Sequence, residues 1–208
     1  SKESGIGKTT AMYVGASIWG SPKALVLGED DTQHSRMNRS ELYQNLPLYI
    51  DELTELEGKE LSSLIYQISS GKQRNRMTSG GNNTERARGK PWKLLSVTTG
   101  NCSAIEKVSL YKTMPKAEAQ RMMETKAVRL FDENKTKHLT DAHATNAETV
   151  YGHAGIVYIQ YIIANIDAVT KLLGQVQAKI DKAADLTAEN RFWSAGAAAD
   201  LTGVLIAK

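Results

Sequence analysis

Short apolar runs alternate with amphipathic helical patterns along the first 135 residues of the chain. Four of these runs have the length and the turn-forming borders of buried strands; they lie at residues 24–27, 46–50, 92–99 and 127–131. Helical patterns occupy residues 9–19, 35–45, 59–70 and 116–126. Strands that alternate with helices predict an α/β fold with a parallel central sheet.

The rest of the chain has a different pattern. Residues 132–150 are polar and loop-like, and a long helix is predicted after Gly155. Its apolar residues recur at three- and four-residue steps from Ile159 to Ile180, which predicts a stripe that faces a core. A last helix is predicted at 188–206. We therefore expect two units, an α/β core and a C-terminal helical region, over residues 1–135 and 136–208.

The chain opens on a glycine-rich stretch that leads into the first predicted helix. Gly7, Lys8 and Thr9 complete the second half of the phosphate-loop pattern G-x-x-x-x-G-K-[ST]. In such a loop backbone N–H groups surround phosphate oxygens, the lysine reaches the β- and γ-phosphates, and the threonine hydroxyl binds Mg²⁺. Lys2 stands where the pattern has its first glycine, so the match is incomplete.

The loop has two further implications. The residues expected to bind ATP are Ser4, Gly5, Ile6, Gly7, Lys8, Thr9 and Thr10. A phosphate loop normally follows a buried strand, whereas this chain begins inside the motif. We therefore expect the first strand to lie upstream of residue 1 and the chain to be a fragment of a longer protein.

Polar side chains end two of the predicted strands. The second apolar run leads into Asp51 and Glu52. Adjacent carboxylates at the end of a buried strand are costly unless they have a role; in a nucleotide hydrolase the first orients Mg²⁺ or its water and the second polarises the attacking water. The third run ends in Thr99, Gly100 and Asn101, where the asparagine is our candidate γ-phosphate sensor and Thr99 the second choice. A solvated acidic turn and a plain asparagine turn are the alternatives.

Positive charge is concentrated between Lys72 and Lys93, in a glycine-rich excursion with seven Lys/Arg and one Glu. Its net charge is +6, against +3 for the whole chain. A hairpin with this charge could track a phosphate backbone, and the candidate DNA contacts are Lys72, Arg74, Arg76, Arg86 and Arg88. The alternatives are an ordinary solvated loop and a contact with a neighbouring subunit's ATP.

Two arginines are candidates for an arginine finger, which adds positive charge to the transition state from an adjacent subunit. Arg121 lies in the predicted helix at 116–126, and Arg129 lies in the strand that follows it. Arg129 is slightly preferred. Either residue could instead form an ion pair on the surface.

Composition sets outer bounds on the function. Total charge is balanced and does not by itself demand a polyanionic partner. The single cysteine, Cys102, excludes an internal disulfide framework and fits a reducing cytosol, so we expect a cytoplasmic protein with Cys102 as an inert buried thiol. The most apolar stretch, residues 156–176, contains Asp167 and Lys171, which disfavours a membrane span.

In this order, the motifs resemble the AAA+ class of P-loop ATPases. They resemble more closely the helicase-like ATPase domain of phage and plasmid replication proteins, which is often fused to a primase. The motifs that carry the resemblance are Gly5–Thr10, Ser17–Pro22, Asn45–Leu53, Ile65–Arg74, Val97–Asn101 and Tyr151–Gly155. The resemblance implies a three-layer core, a ring oligomer expected to be a hexamer, ATP hydrolysis between subunits, and basic hairpins in a central DNA channel, as in superfamily 3 helicases.

The function predicted from the sequence is an ATP- and Mg²⁺-dependent motor that translocates on single-stranded or forked DNA, specifically a replicative helicase. Two alternatives stay open. One is a non-motor ATPase switch, such as a loader or a transposition helper, that assembles on DNA without unwinding it. The other is a small-molecule nucleotide kinase, against which the basic stretch at residues 72–93 argues.

Overall fold

A small parallel sheet lies at the centre of the α/β part. The structure is a computed structural model that describes residues 6–28, 30–73, 89–128 and 133–207, with side chains in the last range from residue 137. Its strands are β1 (Val26–Leu27), β2 (Leu48–Ile50) and β3 (Ser96–Thr98). They are parallel and lie in the order β1-β2-β3, with Tyr49 opposite both Val26 and Val97. The predicted parallel sheet is confirmed.

Helices make up most of the described residues. They are α1 (Lys8–Ser17), α2 (Pro22–Leu25), α3 (Gln33–Tyr43), α4 (Gly58–Ser70), α5 (Ala104–Tyr111), α6 (Lys116–Ala119), α7 (Glu133–Thr149), α8 (His153–Ala164), α9 (Ile166–Ala183) and α10 (Arg191–Ile206). Two 3₁₀ turns are present at Leu53–Glu55 and Ala188–Asn190. Local signals explain several ends: Thr32 caps α3 by accepting from Ser35 N, and α4 ends at Gly71 with φ 70°.

The main core lies between the sheet and helices α3, α4 and α5. The middle strand β2 is buried along its whole length, and the apolar face of α4 packs beside it. The fully or almost fully buried apolar side chains are Leu48, Ile50, Leu61, Leu64 and Val108. Burial of each stabilises the fold by about 1.5–3 kcal/mol, so the core fixes the middle strand and the positions of the residues that follow it.

The predicted strands are longer than the observed ones. The runs at 46–50 and 92–99 form strands only over Leu48–Ile50 and Ser96–Thr98. The run at 24–27 forms a strand only from Val26, because Pro22 starts the short helix α2. The helix predicted at 116–126 ends at Ala119, and residues 122–128 have neither helical nor strand structure. A contact distant in sequence accounts for this, since the carboxylate of Glu124 accepts from Ser103 Oγ and Ala104 N, both at 2.9 Å. The strand predicted at 127–131 is not formed at 127–128, and most of its residues lie outside the described ranges.

The C-terminal half also departs from the predictions. Residues 132–150 were expected to form a loop, but α7 occupies most of them and packs against α1 and α2. The single long helix is instead two, α8 and α9, which meet at an angle of 93°. They meet at Asn165, whose side chain donates to Tyr161 O at 2.9 Å, the kind of side-chain to backbone bond that competes with a continuous helix.

The predicted core stripe is only partly buried. Val176 is 6% exposed, whereas Ile166, at the start of the same helix, is 53% exposed. The stripe's second half packs on α10.

No single helix among the described residues is long and apolar enough to cross a membrane. Only the bent pair α8 and α9, taken together, meets the criteria of length and composition.

The motif Tyr151–Gly155 closes the C-terminal end of α1. Gly152 N donates to Ser17 O at 2.7 Å, and Gly155 N donates to Ile18 O at 2.9 Å. The last carbonyls of a helix have no partner within it, so the start of α8 satisfies groups that α1 leaves open. These bonds attach the C-terminal helices to α1, the helix that begins at Lys8.

Replacing Gly155 with alanine should lower the free energy of unfolding by about 1–3 kcal/mol. A Cβ atom at this position would lie 2.6 Å from Ile18 O and 2.8 Å from Trp19 Cε3, so α8 would have to move away from α1. Urea unfolding measures the change. The matched control is Gly174→Ala in α9, where a Cβ atom meets nothing within 4 Å and alanine should stabilise the helix by up to about 1 kcal/mol. Equal stability of the two variants would contradict the proposed attachment.

Candidate active site

The site begins where Gly7 turns the chain into α1. Gly7 has φ 85° and ψ 16°, in the left-handed region that favours glycine, and its carbonyl accepts from Ala11 N at 2.9 Å. Lys8 is the first residue of α1, so its side chain starts at the positive end of the helix. An anion bound at this end of the helix would meet backbone N–H groups and the lysine together.

The ammonium group of Lys8 reaches the residues that follow β3. Its Nζ donates to Gly100 O at 2.8 Å and to Asn101 Oδ1 at 2.6 Å. The two partners are 92 and 93 residues away in sequence, and the parallel sheet brings them to the loop. The predicted phosphate-binding lysine and the predicted sensor asparagine are therefore in direct contact.

The carboxylates after β2 lie at the same edge of the sheet. Asp51 Oδ1 accepts from the hydroxyl of Thr99 and, at 3.1 Å, from Glu52 N. The loop after β3 also holds the backbone here, since Thr99 Oγ1 accepts from Glu52 N at 3.2 Å and Thr99 O accepts from Leu53 N at 2.9 Å. Thr99, the second-choice sensor of the sequence analysis, thus orients the acidic pair.

Glu52 has an unusual backbone conformation. Its φ is 51° and its ψ 41°, in the left-handed region, which costs a residue other than glycine about 1–2 kcal/mol. Strain of this kind persists only where the surroundings impose it, and it collects at functional sites. The bonds from Thr99 supply that constraint.

The amide of Asn101 connects the cation to the carboxylate. Its Oδ1 accepts from Lys8, and its Nδ2 donates to Glu52 Oε1 at 2.7 Å. Only one orientation of the amide satisfies both bonds, because an ammonium only donates and a carboxylate only accepts. Lys8, Asn101 and Glu52 therefore form one continuous hydrogen-bonded chain, which we call the Lys–Asn–Glu chain.

Thr54 is a member of the site that the sequence analysis missed. It is 5% exposed, its Oγ1 accepts from Asn101 N at 3.0 Å, and the same hydroxyl donates to Glu52 Oε1 at 3.4 Å. Its carbonyl accepts from Lys107 Nζ. The sequence signal for Thr54 is weak. It consists of a hydroxyl residue two positions after Glu52, in the stretch D-E-L-T.

A cavity of about 1100 Å³ opens beside Lys8. It is lined by residues of α1, by the ends of β2 and β3 with the loops after them, and by residues 122–128. Its size is slightly above the range of small-molecule sites, which is about 300–1,000 Å³. Tyr49 reaches its wall and donates to Gly15 O at 3.0 Å. Burial raises the pKa of the Tyr49 hydroxyl. The bond that this hydroxyl donates holds β2 against α1.

The residues proposed for the metal fit Mg²⁺ by their chemistry. Thr9 is exposed in the first turn of α1, and Asp51 is half-buried after β2. Hydroxyl and carboxylate oxygens are the hard donors that Mg²⁺ takes, usually one or two from the protein, with the rest from phosphates and water. Within the described ranges no group of three or more His, Cys, Asp or Glu could hold a metal. A metal held jointly with a phosphate is the arrangement that these residues suit.

Arg121, a candidate finger, lies away from the Lys–Asn–Glu chain. Its Nη1 donates to Ala117 O at 2.6 Å. Its guanidinium carbon is 4.8 Å from the ring centroid of Tyr66 in α4 and 5.6 Å from that of Phe192 in α10. In a single chain Arg121 therefore ties α4 to the C-terminal helices. A role toward a neighbouring subunit stays a prediction.

Several predicted residues lie outside the described ranges. They are Lys2, Ser4, Gly5, Arg74, Arg76, Arg86, Arg88 and Arg129. Of the remaining candidates, Lys72 is exposed just after α4, while Ile6 and Thr10 are half-buried beside Lys8. Cys102 was expected to be buried, but it is exposed, because it follows Asn101 in the open turn after β3.

Comparisons with known proteins bear on the fold of the chain. Residues 1–88 match a family described as "Domain of unknown function (DUF927)". The structure is similar to that of SCCmec type IV Cch, described as an active helicase, with a TM-score of 0.67 and 16% sequence identity. The match covers 99% of this chain and 37% of that protein, so the chain spans just over a third of its neighbour's length. No curated protein matches the chain in sequence. The fold therefore resembles part of that protein's structure.

Proposed function

We propose that the chain is the nucleotide-hydrolysing part of a DNA motor, a replicative helicase of a phage or plasmid. The observation that carries the proposal is the Lys–Asn–Glu chain, which joins the start of α1 to the ends of two parallel strands. A phosphate-binding cation, an uncharged sensor and a carboxylate in direct contact are the parts that phosphoryl transfer to water requires. The structural similarity to a helicase supports the same assignment.

Each residue has a defined task in this proposal. Lys8 and the N–H groups at the start of α1 bind the β- and γ-phosphates. Thr9 and Asp51 hold Mg²⁺, which would neutralise charge on the phosphates when bound. Glu52 takes up the attacking water on its carboxylate and polarises it. Asn101 is hydrogen-bonded to both Lys8 and Glu52, so binding of the γ-phosphate at Lys8 changes the position of Asn101 and, through it, that of the Glu52 carboxylate.

The assembly proposed around this site follows the resemblance described above. The core over residues 1–135 is a three-layer AAA+-like unit, and residues 136–208 form a helical region. The chain works in the cytoplasm as a ring oligomer, a hexamer, in which Arg129 or Arg121 of one subunit completes the site of the next. The basic residues between Lys72 and Arg88 contact single-stranded or forked DNA in the channel, and a primase is fused or bound.

The test is the ATPase rate of the protein that carries this chain, measured with and without single-stranded DNA, together with strand displacement on a forked duplex. We expect DNA to raise the rate several-fold and the fork to be unwound. The Lys8→Ala variant serves as the negative control for both measurements. ATP turnover stimulated by DNA without unwinding would favour the loader or switch alternative. If DNA does not change the rate of ATP turnover and a small-molecule acceptor is required, the chain is a nucleotide kinase and the proposal is wrong.

A further inference from the structure

We propose that Thr54 is a positioning residue that sets Glu52 and Asn101 against each other for hydrolysis. The proposal rests on the function proposed above and adds a residue to its site. Thr54 lies in the 3₁₀ turn after β2, yet its hydroxyl contacts the segment after β3. Like Thr99, it links the loops that follow β2 and β3.

The hydroxyl of Thr54 accepts one hydrogen bond and donates another. It accepts from Asn101 N at 3.0 Å, which fixes the backbone from which the sensor amide extends. It donates its one hydrogen to Glu52 Oε1 at 3.4 Å, a long contact on the oxygen that also accepts from Asn101 Nδ2. The stronger action is therefore on Asn101, and the weaker one is on the carboxylate.

The surroundings hold Thr54 in place. Its side chain is buried, and its carbonyl accepts from Lys107 Nζ of α5. Gly100 passes so close that a Cβ atom there would lie 2.5 Å from Thr54 Cγ2. The methyl and the hydroxyl of Thr54 thus fit against adjacent residues of the same loop. Catalytic groups need positions held to within about 0.5 Å, and a buried, hydrogen-bonded neighbour is what provides this.

The first test is Thr54→Val, which keeps the shape and removes the hydroxyl. We expect kcat for ATP hydrolysis to fall about 10- to 100-fold, the loss typical of a misplaced reacting group, with nucleotide affinity unchanged. Thr54→Ser should restore most of kcat, because it returns the oxygen. Unchanged kcat in Thr54→Val, or no rescue by serine, would overturn the proposal.

A matched control separates positioning from stability. Thr202 in α10 is also buried, at 3% exposed, and its Oγ1 is among the buried atoms of the described residues with no hydrogen-bond partner. Thr202→Val should leave kcat unchanged, because it removes a hydroxyl that makes no bond. The unfolding free energy of Thr54→Val is measured alongside kcat. If the loss of stability alone accounts for the fall in kcat, Thr54 has a purely structural role.

A double-variant cycle tests whether Thr54 acts through Asn101. If it does, Thr54→Val should lower kcat little further in an Asn101→Ala background, since residues that work as one unit are not additive. If the fold reductions in kcat of the two single variants multiply in the double variant, Thr54 does not act through Asn101.

Amide hydrogen exchange of Asn101 gives a readout that needs no ATP turnover. We expect faster exchange in Thr54→Val than in the parent chain, because Asn101 N–H loses its acceptor. If the parent chain hydrolyses no ATP, the proposed function fails, whereas the exchange rate still decides whether Thr54 holds this segment. Unchanged exchange would refute that hold.

Discussion

Replacing Glu52 with glutamine should lower ATP turnover by about 10²- to 10⁴-fold, the usual contribution of a group that activates water, and should leave nucleotide affinity nearly unchanged. Glutamine keeps the length of the side chain and an oxygen that can accept from Asn101 Nδ2 at 2.7 Å. It removes the negative charge that polarises the attacking water. Phosphate release measures the rate, and titration with a fluorescent ATP analogue measures the affinity.

Glu55 offers a control for this variant. It lies in the same 3₁₀ turn and is exposed, so Glu55→Gln should change turnover by no more than about twofold. Normal turnover in Glu52→Gln would remove the hydrolase assignment. If Glu52→Gln instead loses nucleotide affinity, Glu52 shapes the binding site and has no specific part in hydrolysis.

The backbone of Glu52 supports a functional reading of this position. Glycine or asparagine is the ordinary occupant of a left-handed conformation, and the chain places a glutamate there, at φ 51°. The conformation turns the chain sharply after β2. The neighbouring carboxylate of Asp51 bonds to Thr99, and that of Glu52 bonds to Asn101. The preference of glutamate for negative φ is therefore overridden at the point where two adjacent carboxylates bond to different partners.

The parts of the site with a strong local signal could be predicted from the sequence. The glycine-to-helix transition at Gly7 predicted α1 to within two residues at either end. Apolar runs that lead into polar residues predicted that Asp51 and Asn101 each follow a strand, and the structure places those two strands side by side. Parallel strands place such ends at one edge, so the meeting of these groups follows from the fold class.

The remaining parts depend on contacts between distant residues. Thr54 has no periodic signal, and its importance is visible only once the loop after β3 lies against it. Glu124 lies in a segment with a helical pattern, but its bonds to the start of α5 hold the segment away from a helix. In α7 the residues described are mostly exposed and polar, so no apolar stripe marked the helix. Tertiary contacts decided these cases, and local propensity did not.

Replacing Lys8 with alanine should weaken nucleotide binding about 10- to 100-fold, which corresponds to the loss of one hydrogen bond to a charged group, at about 1.5–3 kcal/mol. Turnover should fall below detection, because the lysine also stabilises charge that develops on the transferred phosphate. The fold should survive, since Lys8 is only partly buried and its two bonds go to the loop after β3. The fluorescent-analogue titration and the phosphate-release assay measure both effects.

Two further lysine variants make this prediction specific. Lys8→Arg keeps the charge, but a planar guanidinium cannot reproduce the compact ammonium that donates to Gly100 O and Asn101 Oδ1. We therefore expect it to recover part of the affinity and little of the turnover. Lys171→Ala, at an exposed position of α9, should change neither. Full turnover in Lys8→Arg would show that charge alone suffices at this position, and the bond from Lys8 to Asn101 would then have no part in coupling phosphate binding to Glu52.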